Sequence, residues 1–310
     1  MLSKKDVKPK FREHYQELLG KEYEKFEDIC FVYLRRSIRV NTLKITVPEL
    51  LKRMEADWDF EPVPWCKEGF FIKYKHEGRK GVGNTIEHQL GYFYVQEAAS
   101  MIPVEILDPK PGEVILDMCA APGSKTTQIA SKMENKGILV ANDYKGKRLA
   151  SLGMNVQRCG LLNSVITLKH GAAINGMEFD RILVDAPCSA TGAIRKSGKT
   201  LLMWNLASIR RLAGEQRKLL EHAFKILKKG GVIVYSTCSV EPMEDEGVVN
   251  YLINKYENAK LEQVDIKLKP GKTILESDGE KYSPEIKKTL RLWPQDNDTE
   301  GFFVARIRKL

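Results

Sequence analysis

From residue 113 onwards, short apolar runs alternate with longer segments of helical periodicity. Continuous apolar runs, each expected to be a buried strand, occupy residues 113–117, 137–141, 165–168, 181–184 and 232–235. Helical patterns lie between them at residues 124–133, 146–158 and 206–227. Alternating strands and helices predict an α/β fold, a mostly parallel sheet with helices on both faces. Two further strands, residues 290–293 and 302–306, flank a polar turn and should add an antiparallel hairpin to the sheet.

The first 85 residues have a different pattern, typical of a small α+β unit. We expect helices over residues 11–28 and 48–54, and strands over residues 37–42, 58–63 and 69–74. Glycines at positions 78, 81 and 83 indicate a linker over residues 78–83. The sequence therefore predicts two domains, residues 1–85 and residues 86–310.

Composition adds a basic surface to this picture. The 310 residues are 43% hydrophobic, which is enough for a buried core, and the 50 Lys and Arg against 41 Asp and Glu give a net charge of +9. This excess favours a polyanionic partner, nucleic acid before membrane, although a solvated lysine-rich surface is the alternative. No apolar run is long enough for a membrane helix, and no apolar segment follows the N-terminus, so neither a membrane span nor a signal peptide is expected.

The cysteine pattern agrees with a cytoplasmic protein. None of the six cysteines has the spacing of a zinc site, and a chain of this length does not need disulfides. We therefore expect reduced thiols, no metal and a monomer.

The segment after the first strand of the sheet has the properties of a cofactor loop. Residues 117–125 read Asp-Met-Cys-Ala-Ala-Pro-Gly-Ser-Lys, where small residues let the backbone approach a ligand and the next helix presents its N-terminus to a carboxylate. Asp143, after the second strand, is expected to accept hydrogen bonds from ribose hydroxyls, the alternative being a helix cap before Lys145. A nucleoside that carries an amino acid, S-adenosylmethionine, fits both ends. The candidate cofactor-binding residues are Cys119, Ala120, Ala121, Pro122, Gly123, Ser124, Lys125, Asp143, Arg148 and Asp185.

Three motifs in order give the chain a family resemblance. The cofactor loop, Asp185-Ala-Pro-Cys188-Ser and Ser236-Thr-Cys238-Ser resemble the RNA cytosine-5 methyltransferases of the Fmu/NOL1/NOP2/Sun family, archaeal tRNA enzymes included. The resemblance implies a class I S-adenosylmethionine-dependent methyltransferase domain, Rossmann-like, with a small N-terminal RNA-recognition-like α+β domain. His170-Gly171 stands where the family carries an acid near adenine, which puts that contact in doubt.

The reaction that the resemblance implies needs a nucleophile, because C5 of cytosine attacks a sulfonium methyl poorly until a thiolate adds at C6. In the family, Cys238 would be this nucleophile and Cys188 would assist release. The residues alone leave the order open, since DNA cytosine methyltransferases use a Pro-Cys nucleophile, and two inert cysteines are the bland alternative. Asp185 is expected to contact the N3 edge of the base, and Lys125 to hold O2 or lower a thiol pKa.

Basic residues near these motifs are expected to contact RNA around a flipped cytosine. The candidates are Arg35, Arg36, Arg39, Asn41, Arg195, Lys196 and Lys199. We prefer tRNA to ribosomal RNA as the substrate, because a compact chain with one small appendage suits a compact RNA. A non-catalytic RNA-binding or assembly protein and a DNA methyltransferase are the other functional classes considered.

Overall fold

A sheet of eight strands forms the centre of the protein, and a four-stranded sheet lies beside it. The computed structural model describes residues 4–78 and 80–310. The strands are β1 Ser37–Val40, β2 Trp58–Pro62, β3 Gly69–Tyr74, β4 Phe93–Val95, β5 Val114–Asp117, β6 Ile138–Asp143, β7 Ser164–Leu168, β8 Phe179–Asp185, β9 Leu227–Thr237, β10 Ala259–Glu262, β11 Glu276–Ser277, β12 Glu280–Lys281, β13 Leu290–Leu292 and β14 Phe302–Lys309.

Helices cover the large sheet and connect its strands. The α-helices are α1 Pro9–Leu19, α2 Tyr23–Cys30, α3 Val47–Met54, α4 Ile86–Gln89, α5 Ile102–Leu107, α6 Ser124–Lys132, α7 Gly146–Cys159, α8 Lys199–Met203, α9 Leu206–Lys225, α10 Glu246–Lys255 and α11 Pro294–Asn297. Within residues 4–78 and 80–310, none of these helices is long and apolar enough to cross a bilayer. Residues 1–3, the start of the segment read as lacking a signal peptide, lie outside the description.

The large sheet has the predicted α/β topology. Its strand order is β10-β14-β9-β8-β5-β6-β7, with β13 paired to β14. The five strands β5 to β9 are parallel, and β14 is antiparallel to both β9 and β13, so the C-terminal hairpin is confirmed. Successive residues of β8 pack on opposite faces: Ile182 and Val184 join one apolar cluster, and Leu183 joins the other.

The N-terminal helices differ from the prediction. The helix expected over residues 11–28 is divided into α1 and α2 at Gly20, whose positive φ of 53° ends the first helix. Phe11, Tyr15 and Phe26 from these helices pack in the same cluster as the core of the large sheet. The two helices therefore belong to the core of the large domain by packing.

The boundary predicted at residue 85 is too early. The small sheet has the order β2-β3-β1-β4, and β4 lies beyond that boundary, paired antiparallel to β1. In the segment read as a linker, Val82 is buried in the small sheet's own apolar cluster, while residue 79 lies outside the description. Val82 is thus part of the small unit, and the segment around it is not a free linker between two domains.

Two residues predicted to bind RNA hold the two sheets together instead. The Arg39 side chain is buried and donates to the Ser124 carbonyl at 2.8 Å and to Thr127 Oγ1 at 2.9 Å, both on α6. Asn41 is also buried, and its amide donates to the carbonyls of Gly91 and Cys159. Because strand β1 and the adjoining turn are covered by the large domain, the prediction that Arg39 and Asn41 contact RNA is wrong.

Candidate active site

The parallel register of β8 and β9 brings the two cysteine motifs together. Asp185, the last residue of β8, is paired with Ser236, and the Ser236 hydroxyl donates to Asp185 Oδ1 at 2.8 Å. The segments that follow β8 and β9 then leave the sheet at the same edge. As a result the Sγ atoms of Cys188 and Cys238 lie 3.3 Å apart, and both residues are half-buried.

Lys125 reaches the same point from α6. Its buried ammonium donates to Asp185 Oδ2 at 2.8 Å and to the Ser100 hydroxyl at 2.9 Å. Burial lowers the pKa of Lys125, but the Asp185 carboxylate, through its charge and its hydrogen bond, outweighs burial, and the charge of Cys238 acts in the same direction. The net effect raises the pKa of Lys125, so a permanent positive charge stands beside Cys238.

Close backbone packing fixes the loop that carries Cys188. The Gly192 N–H donates to the Cys238 carbonyl at 2.9 Å, and the Gly301 N–H donates to the Gly192 carbonyl at 2.9 Å. A Cβ atom on Gly192 would lie 2.1 Å from the Gly301 carbonyl oxygen and 2.8 Å from that of Cys238. Only glycine permits this approach, so Gly192 and Gly301 lock the two cysteine loops in one arrangement.

The segment between β5 and α6 has the form of a cofactor cradle. Gly123 has a φ of 107° and begins α6, and a Cβ there would approach Leu152 to 3.1 Å. Asp117 is buried, accepts from Thr126 Oγ1 at 2.7 Å and has a pKa that burial raises to about 7. Its second oxygen has no hydrogen-bond partner among the described residues. This orphaned oxygen and the helix N-terminus fit a ligand with a cationic and an anionic end.

Asp143 has hydrogen-bond partners within the protein on both carboxylate oxygens. One carboxylate oxygen accepts from the Lys145 N–H at 2.9 Å, before the start of α7, and the other accepts from the Ala121 N–H at 3.2 Å. The N-cap residue of α7 is Lys145 and no side chain caps this helix, so Asp143 is not its cap. Arg148 lies 3.3 Å from Asp143 and also donates to the Ala121 carbonyl. Asp143 and Arg148 thus shape the cradle from the β6 side. Where the family has an acid, the His170 ring lies 6.2 Å from the ring of the exposed Tyr144.

The remaining cysteines lack the surroundings of a reactive thiol. Burial raises the pKa of Cys119, well above its usual value, and raises that of Cys30, Cys66 and Cys159. Cys66 lies close to Glu68 and Glu105, but the Lys132 ammonium is already 2.8 Å from Glu105 and supplies the positive charge there.

The remaining residues predicted to bind RNA are either paired with an acid inside the protein or exposed to solvent. Asp298 bridges Arg35 at 2.9 Å and Arg195 at 2.6 Å, and the Arg195 side chain is fully buried while donating to the Tyr33 carbonyl. Arg195 is therefore a structural clamp between the Cys188 loop and the N-terminal unit, and the prediction that it contacts RNA is wrong. Arg36, Lys196 and Lys199 are exposed.

Three residues that hold the site together were not predicted from the sequence. Ser100 holds Lys125, Ser236 holds Asp185, and Glu244 accepts hydrogen bonds from residues next to both cysteines. Ser236 stood inside a motif already quoted. The other two carry no signal in the sequence, since Ser100 is 25 residues from Lys125 and Glu244 is 55 residues from Ser189.

Comparison with known proteins identifies the family. The protein-family model described as 16S rRNA methyltransferase RsmB/F matches residues 104–308 of this chain. A second family model, described as the N-terminal domain of 16S rRNA methyltransferase RsmF, matches residues 7–98. A tRNA (cytosine(49)-C(5))-methyltransferase of Pyrococcus abyssi is 47% identical, covering 98% of this chain and 97% of its own. A ribosomal RNA small subunit methyltransferase F of Photobacterium profundum is 45% identical over 92% of this chain, which spans only 60% of that relative.

Solved structures agree with the sequence relatives. A methyltransferase homolog protein from Pyrococcus horikoshii superposes with a TM-score of 0.87 at 36% identity, with complete coverage of both chains. NSun6 from the same organism, solved with SFG, an analogue of S-adenosylmethionine, has a TM-score of 0.83 at 27% identity and covers 97% of this chain and 98% of its own. These findings confirm both the fold and the resemblance drawn from the three motifs: the chain belongs to the RsmB/F family of RNA cytosine-5 methyltransferases.

Proposed function

We propose that this protein transfers a methyl group from S-adenosylmethionine to C5 of a cytosine in tRNA, through a covalent bond between Cys238 and C6. The contact between the Cys188 and Cys238 thiols beside the Lys125–Asp185 pair carries this proposal. A non-catalytic RNA-binding protein has no use for two facing thiols next to a buried ammonium. The choice of tRNA rests on the tRNA (cytosine(49)-C(5))-methyltransferase of Pyrococcus abyssi, which is 47% identical over 98% of this chain.

The cradle after β5 suits S-adenosylmethionine, which supplies the electrophilic methyl group when bound. Asp143 would accept hydrogen bonds from the ribose, and the orphaned oxygen of Asp117 would accept from the amino group of the methionine portion. The N–H groups at the start of α6 would receive its carboxylate.

The two thiols then divide the chemistry on the base. The Cys238 thiolate adds to C6 and makes C5 nucleophilic toward the methyl group. Asp185, held by Lys125 and Ser236, would accept a hydrogen bond from the N4 amino group at the N3 edge of the base. After methyl transfer a water molecule takes the proton from C5, the electron pair of that C–H bond restores the C5–C6 double bond, and the S–C6 bond breaks to release the Cys238 sulfur. Cys188 would assist this last step as a thiol that donates a hydrogen bond to the departing sulfur, since the two Sγ atoms are in contact.

The RNA would approach over an exposed basic surface beside this site. Arg36 lines a groove of about 580 Å³ between residues 33–36 and strands β2 and β3, with the exposed ring of Tyr33 at its edge. Lys199 is exposed on α8, after the Cys188 loop. Among the described residues, no carboxylate lies within ion-pair distance of Arg36 or Lys199, so both charges are available to phosphates.

The first prediction concerns the cofactor. Asp143→Ala should weaken S-adenosylmethionine binding by about 1–3 kcal/mol, the range for a lost charge-assisted hydrogen bond. Isothermal titration calorimetry measures this, with Glu257→Ala, an exposed carboxylate far along the chain, as the control. An unchanged affinity in Asp143→Ala would remove the carboxylate from the cofactor site.

The second prediction concerns the RNA surface. Each phosphate contact contributes about 0.7–0.9 to the slope of log affinity against log salt, so the double variant Arg36→Ala/Lys199→Ala should flatten that slope by about 1.5. Filter binding of a tRNA transcript at several salt concentrations gives the slope. Lys10→Ala/Lys52→Ala, which removes two exposed charges elsewhere, should leave it unchanged. Equal slopes in the two double variants would place the RNA on another surface.

The third prediction separates the two thiols and tests the proposed function. With labelled S-adenosylmethionine and tRNA, Cys238→Ala should lose both methylation and covalent complex, because no bond to C6 forms. Cys188→Ala should still attack but fail to release the RNA, which gives a slow protein–RNA band in a denaturing gel. The band should depend on S-adenosylmethionine and disappear in the double variant.

Cys30→Ala, which removes a buried cysteine away from the site, is the control and should turn over normally without a band. A band from Cys238→Ala but not from Cys188→Ala would assign the nucleophile to Cys188. Full activity in both single variants would contradict covalent catalysis.

A further inference from the structure

A buried carboxylate joins the two cysteine loops. Glu244 Oε1 accepts from the Ser189 N–H at 2.9 Å, and Glu244 Oε2 accepts from the Ser239 hydroxyl at 2.7 Å and also from the Ser189 hydroxyl. Ser189 follows Cys188, and Ser239 follows Cys238. One side chain therefore holds the residue next to each thiol.

A third contact ties Glu244 to the residue before Cys188. The Gln216 amide donates to Glu244 Oε1 at 3.1 Å and to the Pro187 carbonyl at 2.8 Å. The Tyr235 hydroxyl donates to the Glu244 carbonyl at 2.5 Å, which fixes the backbone of the acid from β9. The hydrogen bonds of the Glu244 side chain are thus directed to the cysteine loops, directly or through Gln216.

Burying this carboxylate lowers the stability of the fold, because Glu244 is fully buried and no cation among the described residues lies within ion-pair distance of it. The two acids that follow Glu244 in the sequence do have a countercharge. Asp245 and Glu246 are also fully buried, but both pair with the guanidinium of Arg291. A buried carboxylate without a countercharge, placed between two catalytic loops, points to a task in the reaction.

We propose that Glu244 is a positioning residue that holds Cys188 and Cys238 in contact and places a negative charge beside Cys188, opposite the positive charge that Lys125 places beside Cys238. The proposal rests on the proposed function and adds a reason for the division of labour between the thiols. Cys238 is the thiol that attacks, and Cys188 is kept as a neutral thiol.

The electrostatics around Cys188 agree with this division. The hydrogen bond with Cys238 and burial raise the pKa of Cys188 well above its usual value, and the charges of Cys238 and Glu244 raise it further. Tyr235 also faces Cys188, but burial raises its own pKa well above 10, so it stays neutral. Burial raises the pKa of Glu244, and the charge of Glu241 adds to this, while the hydrogen bonds from Ser189 and Ser239 act in the opposite direction and stabilise the carboxylate. Tyr15, which interacts with both acids, has a pKa raised well above 10 by burial and is neutral.

The test uses Glu244→Gln in the full chain. Its amide presents a donor where the carboxylate accepted from two serines, so the thiols should lose their alignment and kcat for tRNA methylation should fall by about tenfold to a hundredfold. The calorimetric affinity for S-adenosylmethionine should not change, since Glu244 lies outside the cradle. Adding Cys238→Ala removes the neighbouring thiol, and mass spectrometry of the tryptic peptide 182–195 then reports on Cys188. At a fixed pH below the pKa of Cys188, its alkylation by iodoacetamide should become about tenfold faster without the neighbouring negative charge.

Glu241→Gln is a matched control. Glu241 is equally buried on the same loop, but it accepts from Tyr15 and Trp204, on the side away from the thiols. This variant should lose comparable stability yet keep the parental pH dependence of Cys188 alkylation. Glu244→Asp, which retains the charge on a shorter side chain, should also keep that pH dependence while only partly restoring kcat.

The proposal is overturned if Glu244→Gln keeps both the parental alkylation profile and a kcat no lower than that of Glu241→Gln. If Glu244→Gln does not fold, Ser189→Ala/Ser239→Ala removes both hydroxyl donors and leaves the charge; an unchanged kcat in that variant would overturn the positioning role. The Cys238→Ala assay judges the proposed function separately, so the two failures are distinguishable.

Discussion

The parallel pairing of β8 with β9 is the constraint on which the site depends. Because Asp185 stands opposite Ser236, the chains that carry Cys188 and Cys238 leave the sheet side by side and their thiols meet at 3.3 Å. A slip of one residue would turn each side chain to the opposite face of the sheet and separate the motifs. The large apolar clusters on both faces prevent such a slip, so the core of the protein sets the geometry of the chemistry.

Charge distinguishes two thiols that geometry makes equivalent. Lys125, fixed by Asp185, acts on Cys238, and Glu244, fixed by Ser189 and Ser239, acts on Cys188. Sequence motifs alone permit either cysteine to be the nucleophile, whereas the surroundings of Cys188 raise its pKa and disfavour a thiolate there. The assignment that the family resemblance implied thus has a physical basis in this chain.

The sequence predicted the parts of the structure that depend on local pattern. Buried strands and the residues at their ends are visible as apolar runs followed by motifs, so the sheet and the positions of Asp143 and Cys188 could be predicted. Contacts between distant segments leave no such pattern. Arg39 and Arg195 look like RNA-binding residues in the sequence, and only the packing of the small sheet and of the Cys188 loop shows that their charges are used internally. For the same reason the burial of α1 and α2 in the large core, and the role of Glu244, could not be predicted.

The identity of the residue bonded to C6 tests the account most directly. A tRNA carrying 5-fluorocytidine at the methylated position cannot lose a proton from C5, so the covalent complex formed with S-adenosylmethionine should persist in the unaltered protein. Trypsin separates the two candidates, since residues 182–195 contain Cys188 and residues 230–255 contain Cys238. After nuclease digestion, mass spectrometry should find the modified nucleotide on the peptide 230–255, at Cys238. A nucleotide on the peptide 182–195 would contradict the account.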